Sequence, residues 1–180
     1  MTHVWFGAAW LVWLGVWIVA AFWSKRTVRR EGAAGMVHRI LLIAAYVMLF
    51  AFNGHRIFGE SAARERMGLA LTVAGAGLGI WARFTIGRNW SAAVTIKEDH
   101  ALVREGPYRI VRHPIYSGLL LAMLGTAIGY GTLTGWLSLP VAFAALWFKL
   151  RVEEGYMRAQ FGEQYLAYQR DVKALAPGLL

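Results

Sequence analysis

Apolar positions gather into five long runs, Val4–Trp23, about Ile40–Phe58, Met67–Ile86, Ile115–Tyr130 and Leu133–Leu150. A helix needs about 20 mostly apolar residues to cross a bilayer, so the pattern predicts an all-α integral membrane protein with five transmembrane helices. The second run is blemished by Asn53 and His55, and the third carries Arg83 in its last turn. The uncharged stretch "GYGTLTG" between the fourth and fifth predicts a tight helical hairpin. Pro140 lacks a backbone donor and is expected to kink the fifth helix or delay its start.

Charge then orients the runs. Sixteen of the nineteen Lys and Arg residues fall between runs one and two, from the end of three to the start of four, or at and beyond the end of five. Only Arg56, Arg64 and Arg66 fall on the other side. By the positive-inside rule the N-terminus is outside and the C-terminus cytoplasmic. The net charge of +9 is therefore a topology signal with some attraction to anionic membrane lipids, and nucleic acid is not an expected partner. Composition agrees, with 58% hydrophobic and 16% charged residues. No basic residue precedes the first run, which is long enough to span, so no cleavable leader is expected. The absence of cysteine removes disulfides and thiolate metal sites, and the five histidines lack ligand spacing. No metal site is expected.

The two halves differ. Residues 1–86 are three helices with short connections and little chemistry. Residues 87–180 hold a polar loop (87–114), the hairpin (115–150) and a C-terminal helical cap on the cytoplasmic side (151–180). A polar segment as long as 87–114 is uncommon unless functional or disordered. Its spaced Trp90, Val94, Ile96, Leu102, Val103, Tyr108, Ile110 and Val111 favour order. "GAGLG" at 75–79 fails the dinucleotide fingerprint, because Ile80 follows and the stretch lies inside a span. Gly75 and Gly79 fit close helix packing instead. Trp10, Trp13 and Trp17 share one helix face, as packing residues would.

The candidate chemistry lies in "EGPYRIVRHPIYSG", residues 105–118. Pro114 suits the first position of a helix, which puts His113 at its cap. Free N–H groups beside Arg109, Arg112 and His113 would seat an anion, although the arginines alone would serve lipid phosphates equally well. Glu153 and Glu154 follow the fifth run. Glu153 lines up with Met157, Phe161 and Tyr165 at i, i+4 spacing, heading an apolar stripe. Glu154 lines up with Arg158 as an ordinary surface pair, and its loss is expected to be tolerated. Run four enters where run five leaves, so Arg112–Tyr116 and Glu153 can meet. Such a corner suits a zwitterionic ligand with an amino-acid end.

"HALVREGPYRIVRHPIYSG" followed by "EEGYMRAQFGEQYLAYQRDV" resembles the isoprenylcysteine carboxyl methyltransferase family and its wider group of membrane methyltransferases, which includes phospholipid N-methyltransferases. The likeness covers roughly residues 83–177, and "GRNWS" at 87–91 is similar to bacterial members. The resemblance implies S-adenosylmethionine as methyl donor, bound on the cytoplasmic face of a prokaryotic inner membrane and covered by the C-terminal segment. It implies that His100, Ala101, Leu102 and Val103 line the donor, that Tyr108 packs on it, and that His113, Pro114, Ile115 and Tyr116 hold it. Gly118 would permit close approach, and Glu153 would take the ammonium or a ribose hydroxyl. Arg112 would orient the loop or meet the methionyl carboxylate. The substrate would be a lipophilic small molecule or a lipidated chain, methylated on a carboxylate or another nucleophile. Lys149, with Arg151 near it, stands where eukaryotic relatives place an arginine for the substrate carboxylate. Lysine keeps the charge but loses the bidentate fork. An amine or phenol would need a base, and His113, Tyr116 and Glu153 are the near candidates. The alternatives are an NADPH-dependent enzyme of the sterol-reductase kind and a non-catalytic lipid-binding protein.

Overall fold

A computed structural model describes residues 2–22, 27–30, 34–50, 55–87, 95–97 and 102–178. Every apolar run contributes a helix: α1 (Thr2–Ala21), α2 (Ala34–Leu49), α3 (Ala62–Ile86), α4 (Pro114–Tyr130) and α5 (Leu133–Phe161), with a shorter α6 (Glu163–Asp171) after them. His3–Ala21, Ala62–Ile86 and Leu133–Phe161 are long and apolar enough to cross a membrane, while Met36–Leu49 and Pro114–Tyr130 are apolar but shorter.

Several boundaries differ from the sequence reading. Helix α2 lies six residues nearer the N-terminus than Ile40 and ends before His55, after which His55–Glu60 is not helical. The backbone there hydrogen-bonds to the turn between α4 and α5 instead, with Leu133 N–H donating to His55 C=O at 2.8 Å and Ile57 N–H to Gly131 C=O at 2.9 Å. Helix α3 starts early because Ser61 caps it, its hydroxyl accepting from Arg64 N–H. Helix α5 runs through Pro140 from Leu133 without a late start. The all-α expectation holds for the bundle, and one short ribbon is added to it. Strands β1 (Thr27–Arg30) and β2 (Thr95–Lys97) pair antiparallel, with Arg30 opposite Thr95. Chain that leaves lipid can satisfy its backbone by pairing across two loops rather than by coiling.

The helices alternate in direction. Arg83 near the end of α3 donates from Nη2 to Ala20 C=O at the end of α1, 2.5 Å away. The start of α4 meets α5 beyond its middle, and the β1–β2 ribbon ties the α1–α2 and α3–α4 connections together. Both remaining interhelical turns meet at the far end.

Glycines bring α3 and α4 into backbone contact. A Cβ on Gly75 would lie 2.5 Å from Gly118 C=O, and one on Gly125 2.5 Å from Gly68 C=O. This is the packing role expected of Gly75 and Gly79. Polar links cross the bundle at mid-depth: Trp10 Nε1–H donates to Thr126 Oγ1 at 3.0 Å, and the Thr126 and Thr72 hydroxyls are 3.1 Å apart. Trp10 and Trp13 are buried in the apolar core, and Trp13 stacks on Trp17 with centroids 4.5 Å apart. The tryptophan stripe is packing, as its spacing indicated.

Candidate active site

The polar loop approaches α4 through a 3₁₀ turn, Gly106–Arg109, entered at Gly106 with φ +56°. Tyr108 is buried there, and its hydroxyl donates to Ala82 C=O at 3.4 Å. Tyr168 of α6 donates its hydroxyl to Tyr108 C=O at 2.5 Å. Burial raises both phenols, Tyr168 to about 12, so both remain neutral donors.

Residues 111–113 then run beside the chain that follows α6. Arg112 N–H donates to Lys173 C=O at 2.8 Å, and His113 N–H to Ala174 C=O at 3.0 Å. Ser117 Oγ–H closes the strap by donating to Leu175 C=O at 2.6 Å. Helix α4 begins at Pro114 with His113 as its N-cap, the arrangement its sequence predicts.

A chain of charges crosses from this entrance to α5. Arg112 donates to Glu154 Oε1 from Nε at 3.0 Å and from Nη2 at 2.6 Å. His113 lies between two carboxylates, with Nε2 3.4 Å from Glu154 Oε1 and Nδ1 3.6 Å from Glu153 Oε2. Its ring stacks on Tyr116 at 5.4 Å and 8°. Lys149 Nζ is 3.8 Å from Glu153 Oε1 and 5.3 Å from the centre of the Tyr116 ring. Arg112, His113, Tyr116, Lys149 and Glu153 therefore converge on one corner.

The two glutamates exchange the environments expected of them. The Glu154 side chain is 4% exposed and that of Glu153 is 23% exposed. The expected stripe from Glu153 to Tyr165 assumed one continuous helix, but α5 stops at Phe161. Gly162, at φ +50°, turns the chain into α6. That turn lets Gln169 Nε2–H reach Glu154 Oε2 at 2.8 Å. Glu154 does approach Arg158, at 3.7 Å, but it is no surface residue. Its burial under α6 overturns the reading of Glu154 as a surface residue.

Other expected site residues sort by position. Leu102 and Val103 are half-buried in the second half of the loop, whereas His100 and Ala101 lie outside the described residues. Pro114 is buried, and Ile115 packs against the apolar core. Gly118 faces α3, where a Cβ would lie 2.6 Å from Gly75 C=O, so its bareness admits a helix. Arg151 is exposed, and two residues of helix carry it away from the face shared by Lys149 and Glu153. Arg112 spends its donors on Glu154 and on the carbonyls of Gln169 (3.3 Å) and Val172. Of its two expected roles, that geometry is the orienting one.

Sequence reasoning overlooked Gln169, Tyr168, Ser117 and the 172–175 strap. Gly162 followed by Glu163 was the available signal, since a glycine between periodic segments marks a helix stop.

The corner can accept a cation on Glu153, whose nearest polar partners among the described residues lie beyond ordinary hydrogen-bond distance. It offers the Tyr116 and His113 ring faces beside that carboxylate and an ammonium on Lys149 across from it. A ligand carrying both signs of charge fits such a place.

A profile of the phospholipid methyltransferase family matches residues 63–164. Protein-S-isoprenylcysteine O-methyltransferase B of Arabidopsis thaliana is 37% identical over 120 residues, covering 63% of this chain and 59% of that protein. Protein-S-isoprenylcysteine O-methyltransferase of Saccharomyces cerevisiae is 31% identical over 144 residues, covering 75% of this chain and 59% of that one. This chain thus spans about three fifths of the length of both relatives. The solved structure of the eukaryotic intramembrane Ras methyltransferase ICMT (isoprenylcysteine carboxyl methyltransferase) is similar, with TM-score 0.59 and 27% identity, over 78% of this chain and 52% of that one. The matched segment runs from α3 to the start of α6 and contains both the His113 corner and the two glutamates, and on it the chain belongs to the phospholipid methyltransferase family.

Proposed function

We propose that this chain is an integral membrane methyltransferase that uses S-adenosylmethionine to methylate a lipophilic acceptor, either a lipid or a lipidated chain. The observation that carries the reading is the open carboxylate of Glu153, seated between His113 and Lys149 where α4 begins. S-adenosylmethionine fits this donor set, because it brings an ammonium, a carboxylate and a sulfonium to a corner of matching charges. When bound it supplies a methyl group to a nucleophile in line with the carbon–sulfur bond.

The protein's contribution is alignment and charge placement rather than covalent chemistry. Glu153 accepts from the ammonium or a ribose hydroxyl. His113 and Tyr116 present stacked rings along the first turn of α4. Lys149 meets an anionic acceptor group, and a carboxylate acceptor needs no base. Tyr108 and the strap keep water from the corner. Residues 1–86 act as the membrane scaffold and 87–180 as the catalytic half.

All five apolar helices cross the membrane in this reading, with the N-terminus outside and the site on the cytoplasmic face of a prokaryotic inner membrane. The placement of the α1, α3 and α5 ends together with the basic connections supports that orientation. The shorter α2 and α4 are accommodated by packing against longer neighbours and by local thinning of the bilayer.

Calorimetry in detergent tests the site: Glu153→Ala and His113→Ala should abolish S-adenosylmethionine binding. Wild-type affinity in both folded variants would refute the assignment. Incubating the protein with labelled donor and a total membrane lipid extract, followed by mass analysis, identifies the acceptor. No labelled product with either lipids or prenylated peptides would sink the activity. A rise in melting temperature with NADPH instead of S-adenosylmethionine would favour a reductase.

A further inference from the structure

Glu153 and Glu154 are adjacent, but their remaining capacity to accept hydrogen bonds differs. An ionised carboxylate offers about four lone-pair sites. Around Glu154 stand Arg112 Nε and Nη2, His113 Nε2, Gln169 Nε2 and Arg158 Nη2, the nearest at 2.6 Å. These donors come from three places: the entrance to α4, α5 itself, and α6. Arg112 extends the reach to Val172 C=O, and the backbone of Arg112 and His113 pairs with Lys173 and Ala174. Glu154 is therefore saturated and central, whereas Glu153, among the described residues, is open and peripheral.

We infer that Glu154 is a positioning residue: it latches the C-terminal cap, α6 and the 172–175 strap, to the entrance of α4 and fixes the ring of His113. The geometry stands by itself, and only the ligand named in the test rests on the methyltransferase reading. A carboxylate only accepts, so Glu154 selects the His113 state in which Nε2 carries a proton. The ring is then held on one face by Tyr116 stacking and at its Nε2 edge by Glu154. Losing the Glu154 carboxylate frees Arg112 and His113 together, because one oxygen, Glu154 Oε1, serves both, and Arg112 in turn holds the cap through the Gln169 and Val172 carbonyls. Assembly of the ligand corner and closure of the cap become one event.

Full-length Glu154→Gln in detergent tests this, because glutamine preserves the shape and removes the charge. Three quantities are read: amide hydrogen exchange over residues 163–175 without ligand, the ¹⁵N imidazole resonances of His113, and S-adenosylmethionine affinity. Loss of a charge-assisted hydrogen bond predicts exchange faster by about tenfold or more and a comparable fall in affinity. The His113 resonances should shift, a signature that a purely structural role would not produce. Gln169→Ala, which removes the Oε2 contact alone, should speed exchange in the same region by less. It also serves as the second variant if Glu154→Gln does not fold. Unchanged exchange and unchanged His113 resonances in a folded variant overturn the latch. If both change as expected while the wild-type chain binds no S-adenosylmethionine, the latch stands and the methyltransferase reading falls.

Discussion

At the far end of the bundle, Arg64 donates from Nε to Ile128 C=O at 3.0 Å and from Nη1 to Gly59 C=O at 2.5 Å, with its guanidinium 5.8 Å from the Phe58 ring. At the α4 entrance Arg112 also donates to two carbonyls, those of Gln169 and Val172, but adds a buried carboxylate. Both arginines tie a helix end to a neighbouring connection by satisfying carbonyls that helix geometry leaves open. The ends part in what lies beside the arginine. Around Arg64 the chain closes with backbone pairing between His55–Ile57 and Gly131–Leu133. Around Arg112 it places His113, Glu153 and Lys149 in sequence, and Glu153 retains open acceptor sites. A joint needs only matched donors and acceptors, whereas a ligand seat needs a surplus held in place. Among the described residues, the α4 entrance has that surplus as a carboxylate acceptor, whereas the unpartnered groups at the Arg64 end are donors, Arg64 Nη2 and Trp136 Nε1.

Deleting a charge costs most at Glu154. Glu154→Ala leaves Arg112 buried opposite an apolar side chain, and removing one partner of a buried pair costs about 3–5 kcal/mol. Thermal unfolding in detergent should show the largest fall of any charge deletion in the protein. Unfolding within 1 kcal/mol of wild type, about the ceiling for exposed pairs, would mean that the pair is solvated. Arg64→Ala comes next, at about 1–2 kcal/mol for charge-assisted bonds on a partly exposed group. S-adenosylmethionine affinity should be unchanged in that variant, because the far end shares no residue with the corner. A change in affinity would mean that the two ends of the bundle are energetically coupled.

What the sequence disclosed follows the reach of each force. Hydrophobic runs and the proline at position 114 report local physics, so five helices and the His113 cap were legible. The Gly75 and Gly79 spacing was legible for the same reason, since backbone contact across two helices demands bare positions. The α2 boundary was not, because His55–Ile57 finds its partners at Gly131 and Leu133, more than seventy positions away. Glu153 and Glu154 were interchanged by one turn at Gly162, since a helix extended through it puts the wrong carboxylate on the covered face. The β1–β2 ribbon has only four and three residues and joins two distant loops. Its stability is tertiary, and no periodicity in either segment announces it.

Glu153→Ala sharpens the contrast from the other side. Its carboxylate is partly exposed, and its partners lie at 3.6 and 3.8 Å. Its removal should cost less than about 1 kcal/mol yet abolish donor binding by calorimetry. Stability loss like that of Glu154→Ala would place Glu153 in the joint rather than the seat.

The smallest effect belongs to Arg151, and it separates charge from position. Lys149 and Arg151 are both cations on α5, and both stand near Glu153 in sequence. Helical geometry puts Lys149 four residues before Glu153 on the same face, and it puts Arg151 on another. If cationic density alone served an anionic acceptor, neutralising either would weaken it similarly. If the corner is stereospecific, Lys149→Met should raise KM for an anionic acceptor and change donor affinity far less, and that only through its border with Glu153. Arg151→Met should leave KM, donor affinity and melting temperature within error, a surface change of at most about 0.5 kcal/mol. Equal rises in KM for the two variants would assign the attraction to the field of the whole basic end, and the Lys149–Tyr116 contact at 5.3 Å would lose its part in acceptor binding.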